Sequence, residues 1–246
     1  MSVNVAFTPL GLQPTDVAGR TVVVIDILRA TTSIVAALHH GARAVIIAAD
    51  TDEAITLAQS LDRHDVLLAG ERHGLPISGF HLGNSPREMV PEMVAGKTIV
   101  MTTTNGTRTI LATTGAHEVL VAAAVNLGVV GERLREVVKL GREILILCAG
   151  RQYGFGMDDA YLAGRLVVAA SGGRSRKGLN DAAIVSVDLV RHYGDRIDRA
   201  LALSAAGREL TRLGFGADLA AAAAVDAHPV LPLFADRRVT LAPARP

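Results

Sequence analysis

Two runs of the chain, VVVIDI over 22–27 and ILILCA over 144–149, are apolar at consecutive positions rather than at alternate ones. A strand with one face in water alternates apolar and polar residues, so a continuous apolar run has to be covered on both faces. Sheets built that way are largely parallel, with helices packed on each side. The remaining sequence supplies the parts. Strands are expected at Val3–Phe7, Thr21–Ile27, Ala44–Ala48, Val66–Leu68, Lys97–Met101, Val119–Ala123 and Glu143–Cys148. Helical patterns fall between them, at Ala30–His40 (closed by Gly41), Asp52–Leu61, Gly106–Thr114 and Leu127–Leu140. A Gly-rich loop is expected over 70–84, followed by a helix with Ser85 as N-cap and Pro86 at its first position. From about residue 157 the pattern is mostly helical, with a surface loop over 172–178 and two late strands in HPVLPLF and RRVTL. The expectation is one α/β domain over 1–246: a three-layer α/β/α fold, its sheet largely parallel or mixed, its C-terminal third mostly helical.

Composition removes several classes of function. Half of the 246 residues are hydrophobic and 20% are charged, which suits a globular chain. Aromatic residues make up 3% and Trp is absent, leaving no stacking platform for single-stranded nucleic acid. The formal net charge is +1 without a basic run, so a footprint for duplex is missing too. Cys148 is the only cysteine, which excludes an intramolecular disulfide and a thiolate zinc cluster. No apolar stretch approaches the ~20 residues of a membrane span, and the N-terminus has no basic n-region, so a cytoplasmic protein without membrane contact is expected. The eight histidines show no metal-ligand spacing, and His39 and His40 read as surface residues at a helix end.

The polar residues gather at one kind of junction. In parallel sheets, ligands bind where loops and helix N-termini converge at the carboxyl ends of the strands. Asp26, Arg29, Thr31 and Thr32 follow the second expected strand, and Glu71, Arg72, Asn84 and Ser85 follow the fourth. TTTNGT (102–107), Asn126, and the pair Asp158–Asp159 follow the next three. Helix-to-strand connections such as HHGARA and TGAHE are plainer. Within 102–107, hydroxyls, an amide and backbone N–H groups meet at a helix start, where Gly106 permits close approach or positive φ. Such a turn suits a phosphate, sulfonate or carboxylate, although capping by Asn105 or Thr104 alone needs the same residues.

Asp26 is the acid that most needs a partner. It ends an apolar run, so its charge requires either a counter-charge, for which Arg29 is nearest in sequence, or a bound cation. Asp26, Glu71, Asp158 and Asp159 are candidate oxygen ligands for a hard ion such as Mg²⁺. Familiar motifs are absent: there is no GxxxxGK[ST], GxGxxG or HExxH, no DxD at Asp26, and no cysteine-phosphatase loop at Cys148.

Together VVIDILRATTSI, GERHGLPISGFHLGNSP, TTTNGTR and CAG…GFGMDDAYLAG resemble the 2-phosphosulfolactate phosphatase family, in the same order along the chain. The resemblance runs to about residue 182 and continues more weakly through SAAGRELTRLGFGADL. It implies a Mg²⁺-dependent phosphatase that converts (R)-2-phospho-3-sulfolactate to 3-sulfolactate and phosphate on a route to coenzyme M. Carried over residue by residue, it places Asp26, Arg29, Glu71 and Asp159 in catalysis, with Asp26, Glu71 and Asp159 holding the metal. Arg72, Asn84, Thr103, Asn105, Gly106 and Thr107 bind substrate in the same reading. The chain departs from the family pattern at His81, Asp158 and Asn180, where the pattern has Asp, Glu and Asp. The expected partner is a small anionic phosphorylated acid, with a homodimer as the expected assembly. A phosphatase for a different phosphorylated acid and a non-catalytic anion-binding protein are the alternatives, and attack by Asp26 or by water both stay open.

Overall fold

The computed structural model describes residues 2–242 apart from 63, 153 and 173–175. The surface loop expected over 172–178 therefore lies partly outside the described residues. The strands are β1 (Val3–Ala6), β2 (Thr21–Ile25), β3 (Ala44–Ile47), β4 (Val66–Arg72), β5 (Leu75–Pro76), β6 (Thr98–Thr102), β7 (Glu118–Ala122), β8 (Ile144–Cys148), β9 (Pro232–Ala235) and β10 (Arg238–Leu241). The helices are α1 (Pro14–Val17), α2 (Ala30–His39), α3 (Thr51–Gln59), α4 (Pro91–Val94), α5 (Gly106–Leu111), α6 (Leu127–Lys139), α7 (Met157–Ser171), α8 (Asp181–Tyr193), α9 (Ile197–Leu203), α10 (Ala205–Arg212) and α11 (Gly216–Ala223). The fold is α/β with a mixed sheet, in the order β1-β8-β2-β7-β9-β10-β3-β6-β4-β5.

The apolar runs behave as their composition requires. Every residue of β2 and of β8 is buried, and β2 pairs in parallel with both β7 and β8. Val23 and Ile25 join the core made by α6 and α7, whereas Val22 and Val24 join the core beneath α2 and α5. Strict alternation along one strand thus feeds two hydrophobic cores. Truncating Val23 or Val24, both fully buried, removes apolar contact and leaves a void that neighbours fill only partly.

Three local expectations change. β4 runs on to Arg72, so Glu71 sits within the strand, where it pairs with Pro76, and not in a loop. Ser85 and Pro86 open only a 3-10 turn over 86–88 before α4. The late strands form a hairpin inside the sheet, with β9 against β7 and β10 against β3, all antiparallel. Proline cannot donate to a sheet ladder, so a place inside the sheet needs accommodation. Pro232 is accommodated because it opens β9, and β9 meets β7 at the single pair Leu120–Leu233.

Candidate active site

A cavity of about 260 Å³ opens where the ends of β2, β4, β6 and β8 meet the helical C-terminal region. Its wall includes Asp26, Arg29, Glu71, Asn84, Asn105 and Asp159 from the expected set, and also Asp158, Thr104, Arg151 and Glu209. Four of the five polar strand-to-helix junctions contribute. The exception is Asn126, which works inside the fold: its side chain accepts from Ala123 N at 2.8 Å and donates to the carbonyls of Val121 and Val230.

The acidic residues form one electrostatic unit. Asp158 and Asp159 occupy the first turn of α7, where the helix dipole favours negative charge, yet both are buried. Asp159 accepts hydrogen bonds from Ile27 N at 2.9 Å and Gly150 N at 3.1 Å, which clamp it between the ends of β2 and β8. Glu71 is held just as firmly, by Thr104 N and Gly74 N, each at 2.7 Å. Among the described residues the Asp26 carboxylate has only a long contact with Ala30 N, 3.4 Å away. Burial, then the neighbouring charges of Glu71 and Asp158, push the Asp26 carboxyl up to about 7. Burial also raises Asp158 to about 6, with Arg151 opposing the rise, and burial with Asp158 and Asp26 raises Asp159 well above the usual range. The Cys148 thiol, fully buried in β8, is pushed up by burial and by the same acids, which leaves it a packing residue.

Arg29 is not the ion-pair partner of Asp26, although its charge opposes part of the rise in the Asp26 carboxyl. Its guanidinium pairs with Asp218 of α11 at 2.8 Å, donates to the Gly74 carbonyl at 2.7 Å, and stacks on Phe215 with its carbon 4.5 Å from the ring centroid. Ser85 donates to the other Asp218 oxygen at 2.7 Å. Both charges are almost fully buried, so this pair locks the β2–α2 junction to the helical region and fixes where Arg29 meets the cavity. Asp218 was not legible as a partner because 189 residues separate it from Arg29.

Other expected substrate contacts lie behind the wall. Thr103 and Thr107 bind each other: Thr107 Oγ1 accepts from Thr103 N at 3.0 Å, and Thr107 N donates to Thr103 Oγ1 at 3.1 Å. Neither hydroxyl lines the cavity, because this reciprocal pair shapes the turn from within. Arg72 donates to Thr102 Oγ1 at 3.0 Å and to the Glu71 carbonyl at 2.7 Å, and it too stays outside the lining. Gly106 matters through close approach and not through positive φ. A Cβ there would stand 2.5 Å from the Ala30 Cβ and 2.6 Å from an Asp26 carboxylate oxygen. Thr104 and Asn105 are the turn residues that reach the cavity. Asn84 reaches it as well, and its buried amide oxygen has no hydrogen-bond partner among the described residues.

Two departures from the family pattern fall away from the cavity. His81 Nδ1 accepts from Leu68 N at 2.9 Å on β4. Asn180 caps α8 through Ala183 N at 3.0 Å and exchanges two hydrogen bonds with the Val5 backbone, one of which needs the amide N–H that an Asp lacks. Only Asp158 faces the site. Arg151 was missed in the sequence, where it sits in a Gly-rich connection without a periodic pattern. The histidine expectation also changes: His39, His40 and His228 come together, their nearest ligand atoms all within 4.8 Å of one another. Burial, then neighbouring imidazoles, holds His39 and His228 below the ordinary imidazole value.

The model of a family described as 2-phosphosulpholactate phosphatase matches residues 6–237. The chain belongs to that family. A relative from Symbiobacterium thermophilum, named "Probable 2-phosphosulfolactate phosphatase", is 38% identical over 226 residues, which cover 92% of this chain and 96% of the relative. Proteins of the same name from Deinococcus radiodurans and Caldanaerobacter subterraneus are 40% and 37% identical, covering 85% and 88% of each chain. Among the described residues, no helix is long and apolar enough to cross a membrane.

Proposed function

We propose that the protein hydrolyses 2-phosphosulfolactate to 3-sulfolactate and phosphate, with Mg²⁺ as its cofactor. One observation carries the metal requirement. Among the described residues the cavity wall holds five carboxylates, Asp26, Glu71, Asp158, Asp159 and Glu209, against two guanidinium groups, and Arg29 is already matched by Asp218. A substrate bearing phosphate, sulfonate and carboxylate would be repelled from such a wall unless a cation bound with it. The available donors are carboxylate oxygens, the chemistry that suits Mg²⁺ over softer ions. Asp26, Glu71, Asp158 and Asp159, the four candidate oxygen ligands read from the sequence, would hold it, one more than the three that the family resemblance implies. When bound, Mg²⁺ supplies Lewis-acid polarisation of the phosphoryl oxygens and offsets the charge of the acids.

The chain's own residues divide the remaining work. Glu71 and Asp159 are fixed by backbone donors, which makes them rigid elements of the wall. Arg151 supplies a cation beside Asp158, suited to an anionic end of the substrate, and Arg29 presents a second one in a position set by Asp218. The Asn84 amide borders the cavity, its oxygen unpartnered among the described residues, and its N–H₂ is the end that can donate to an anionic substrate oxygen. Asp26, the acid least engaged by hydrogen bonds, acts either as base, taking a proton from the water that attacks phosphorus, or as nucleophile, its aspartyl-phosphate then being cleaved by water. On either route the P–O ester bond breaks and the departing sulfolactate oxygen takes a proton from water. The same reading carries a cytoplasmic location, a homodimer and a place in coenzyme M formation. The test is phosphate release from a panel of small phosphorylated acids in Mg²⁺. Highest kcat/KM on 2-phosphosulfolactate supports the proposal; preference for an acid without the sulfonate, or release from none, overturns it.

A further inference from the structure

The histidine cluster lies away from the acidic cavity and takes no part in the chemistry above. His39 ends α2, His40 follows it as the helix cap, and His228 arrives from the segment between α11 and β9. Ring centroids are 4.5 Å apart for His39 and His228, and 5.1 Å for His40 with each of the others. Their surroundings prepare them for a ligand in four ways. His40 Nδ1 contacts the Met89 carbonyl, which can only accept. That fixes the proton on Nδ1 and leaves Nε2 with a free lone pair, the arrangement second-shell carbonyls impose on metal-binding imidazoles. His228 Nδ1 is buried with no hydrogen-bond partner among the described residues. The His228 backbone is fixed by its N–H donating to Val125 O at 2.8 Å and by its carbonyl accepting from Val230 N at 2.7 Å. The last carbonyls of α2 add the negative end of a helix dipole.

We infer that His39, His40 and His228 form a second metal site, for a borderline divalent ion of the Zn²⁺ class, bound by three imidazole nitrogens. Zinc–nitrogen bonds of about 2.0–2.1 Å need ligand atoms roughly 3.4 Å apart in a tetrahedron. The present spacing, within 4.8 Å, closes by small rotations of these rings, and His39 is exposed and free to turn. The fourth position is open to water. Nitrogen ligands separate this site in chemistry from the all-oxygen acidic cavity. The ion would pin the α11–β9 segment to the C-terminal end of α2, the helix whose other end begins at Arg29.

The experiment is calorimetric titration of Zn²⁺ into chelator-stripped protein held in millimolar Mg²⁺, with Co²⁺ visible absorption as a second readout. Wild type is expected to bind about one Zn²⁺ per chain, with a rise in Tm of about 5 °C or more at a hundredfold excess over Kd. Co²⁺ should give the intense visible bands of a four-coordinate ion. His39→Ala changes an exposed residue and should fold with an unaltered metal-free Tm, yet lose affinity by at least about tenfold, along with those bands. His228→Ala should match it. Zn²⁺ affinity within about twofold of wild type in His39→Ala, or Zn²⁺ binding abolished by Asp26→Asn and retained in both histidine variants, would overturn the assignment.

Discussion

Asp26→Asn removes one buried charge and keeps the side chain's shape. Burial and the acids around it raise the Asp26 carboxyl from 3.8 to about 7. At about 1.4 kcal/mol per pH unit, ionising it in the metal-free folded protein costs on the order of 4 kcal/mol, an upper bound because neighbouring acids share the proton. The folded chain keeps this proton up to about pH 7, while the unfolded chain releases it near 3.8. Stability is therefore lost as pH rises through that window, and the full penalty applies above it. Metal-free wild type should melt lower at about pH 8 than at about pH 5, and Asp26→Asn should flatten that slope. At about 2–4 °C per kcal/mol, the variant should gain several degrees at the higher pH without metal. Little opposes the gain, since among the described residues the only hydrogen bond to this carboxylate is the 3.4 Å contact from Ala30 N. The same variant should lose nearly all turnover and the Tm increment that Mg²⁺ gives wild type. Scanning calorimetry with and without chelator reads both effects. A metal-free variant that melts below wild type at about pH 8 would show that the Asp26 charge is compensated within the fold, and the reasoning would fail.

Three further variants separate the turn, the amide and the buried pair. Thr107→Val breaks the reciprocal bonding with Thr103, so denaturant unfolding should show a loss of about 1–3 kcal/mol with kcat/KM of the surviving fold unchanged; a large kinetic loss at constant stability would place this hydroxyl on substrate instead. Asn84→Ala removes an amide whose N–H₂ can donate to substrate and whose oxygen has no partner among the described residues, so KM should rise about tenfold while Tm stays near wild type. Unchanged kinetics would remove Asn84 from the site. Asp218→Ala leaves Arg29 buried without its carboxylate and should destabilise by about 3–5 kcal/mol in urea unfolding. A loss below about 1 kcal/mol would show that the pair contributes little.

The sequence carried the layered fold because β2, Thr21 aside, and β8 are apolar at consecutive positions, a pattern that only two-sided burial explains. It also carried the convergence of Asp26, Glu71, Thr104–Asn105 and Asp158–Asp159, since strand order and the rule for parallel sheets bring those ends together. Partnerships across long separations were not legible. Nothing local to Arg29 distinguishes Asp26, three residues away, from Asp218, and only the packing of α11 decides between them. The histidine cluster is hidden in the same way, with His40 and His228 joined by tertiary structure alone. Thr107 and Arg72 make hydrogen bonds within the fold and lie outside the cavity lining, which residue type alone does not reveal. Position relative to a wall, which a sequence does not encode locally, decides whether a polar side chain meets solvent.

Phosphate release from 2-phosphosulfolactate after exhaustive chelation, followed by Mg²⁺ add-back, bears most directly on the acid-lined cavity. With its carboxylates uncompensated, the stripped protein should release no phosphate, and activity should return in proportion to Mg²⁺ occupancy. Full turnover in the stripped protein, or none after Mg²⁺ is restored, would contradict it.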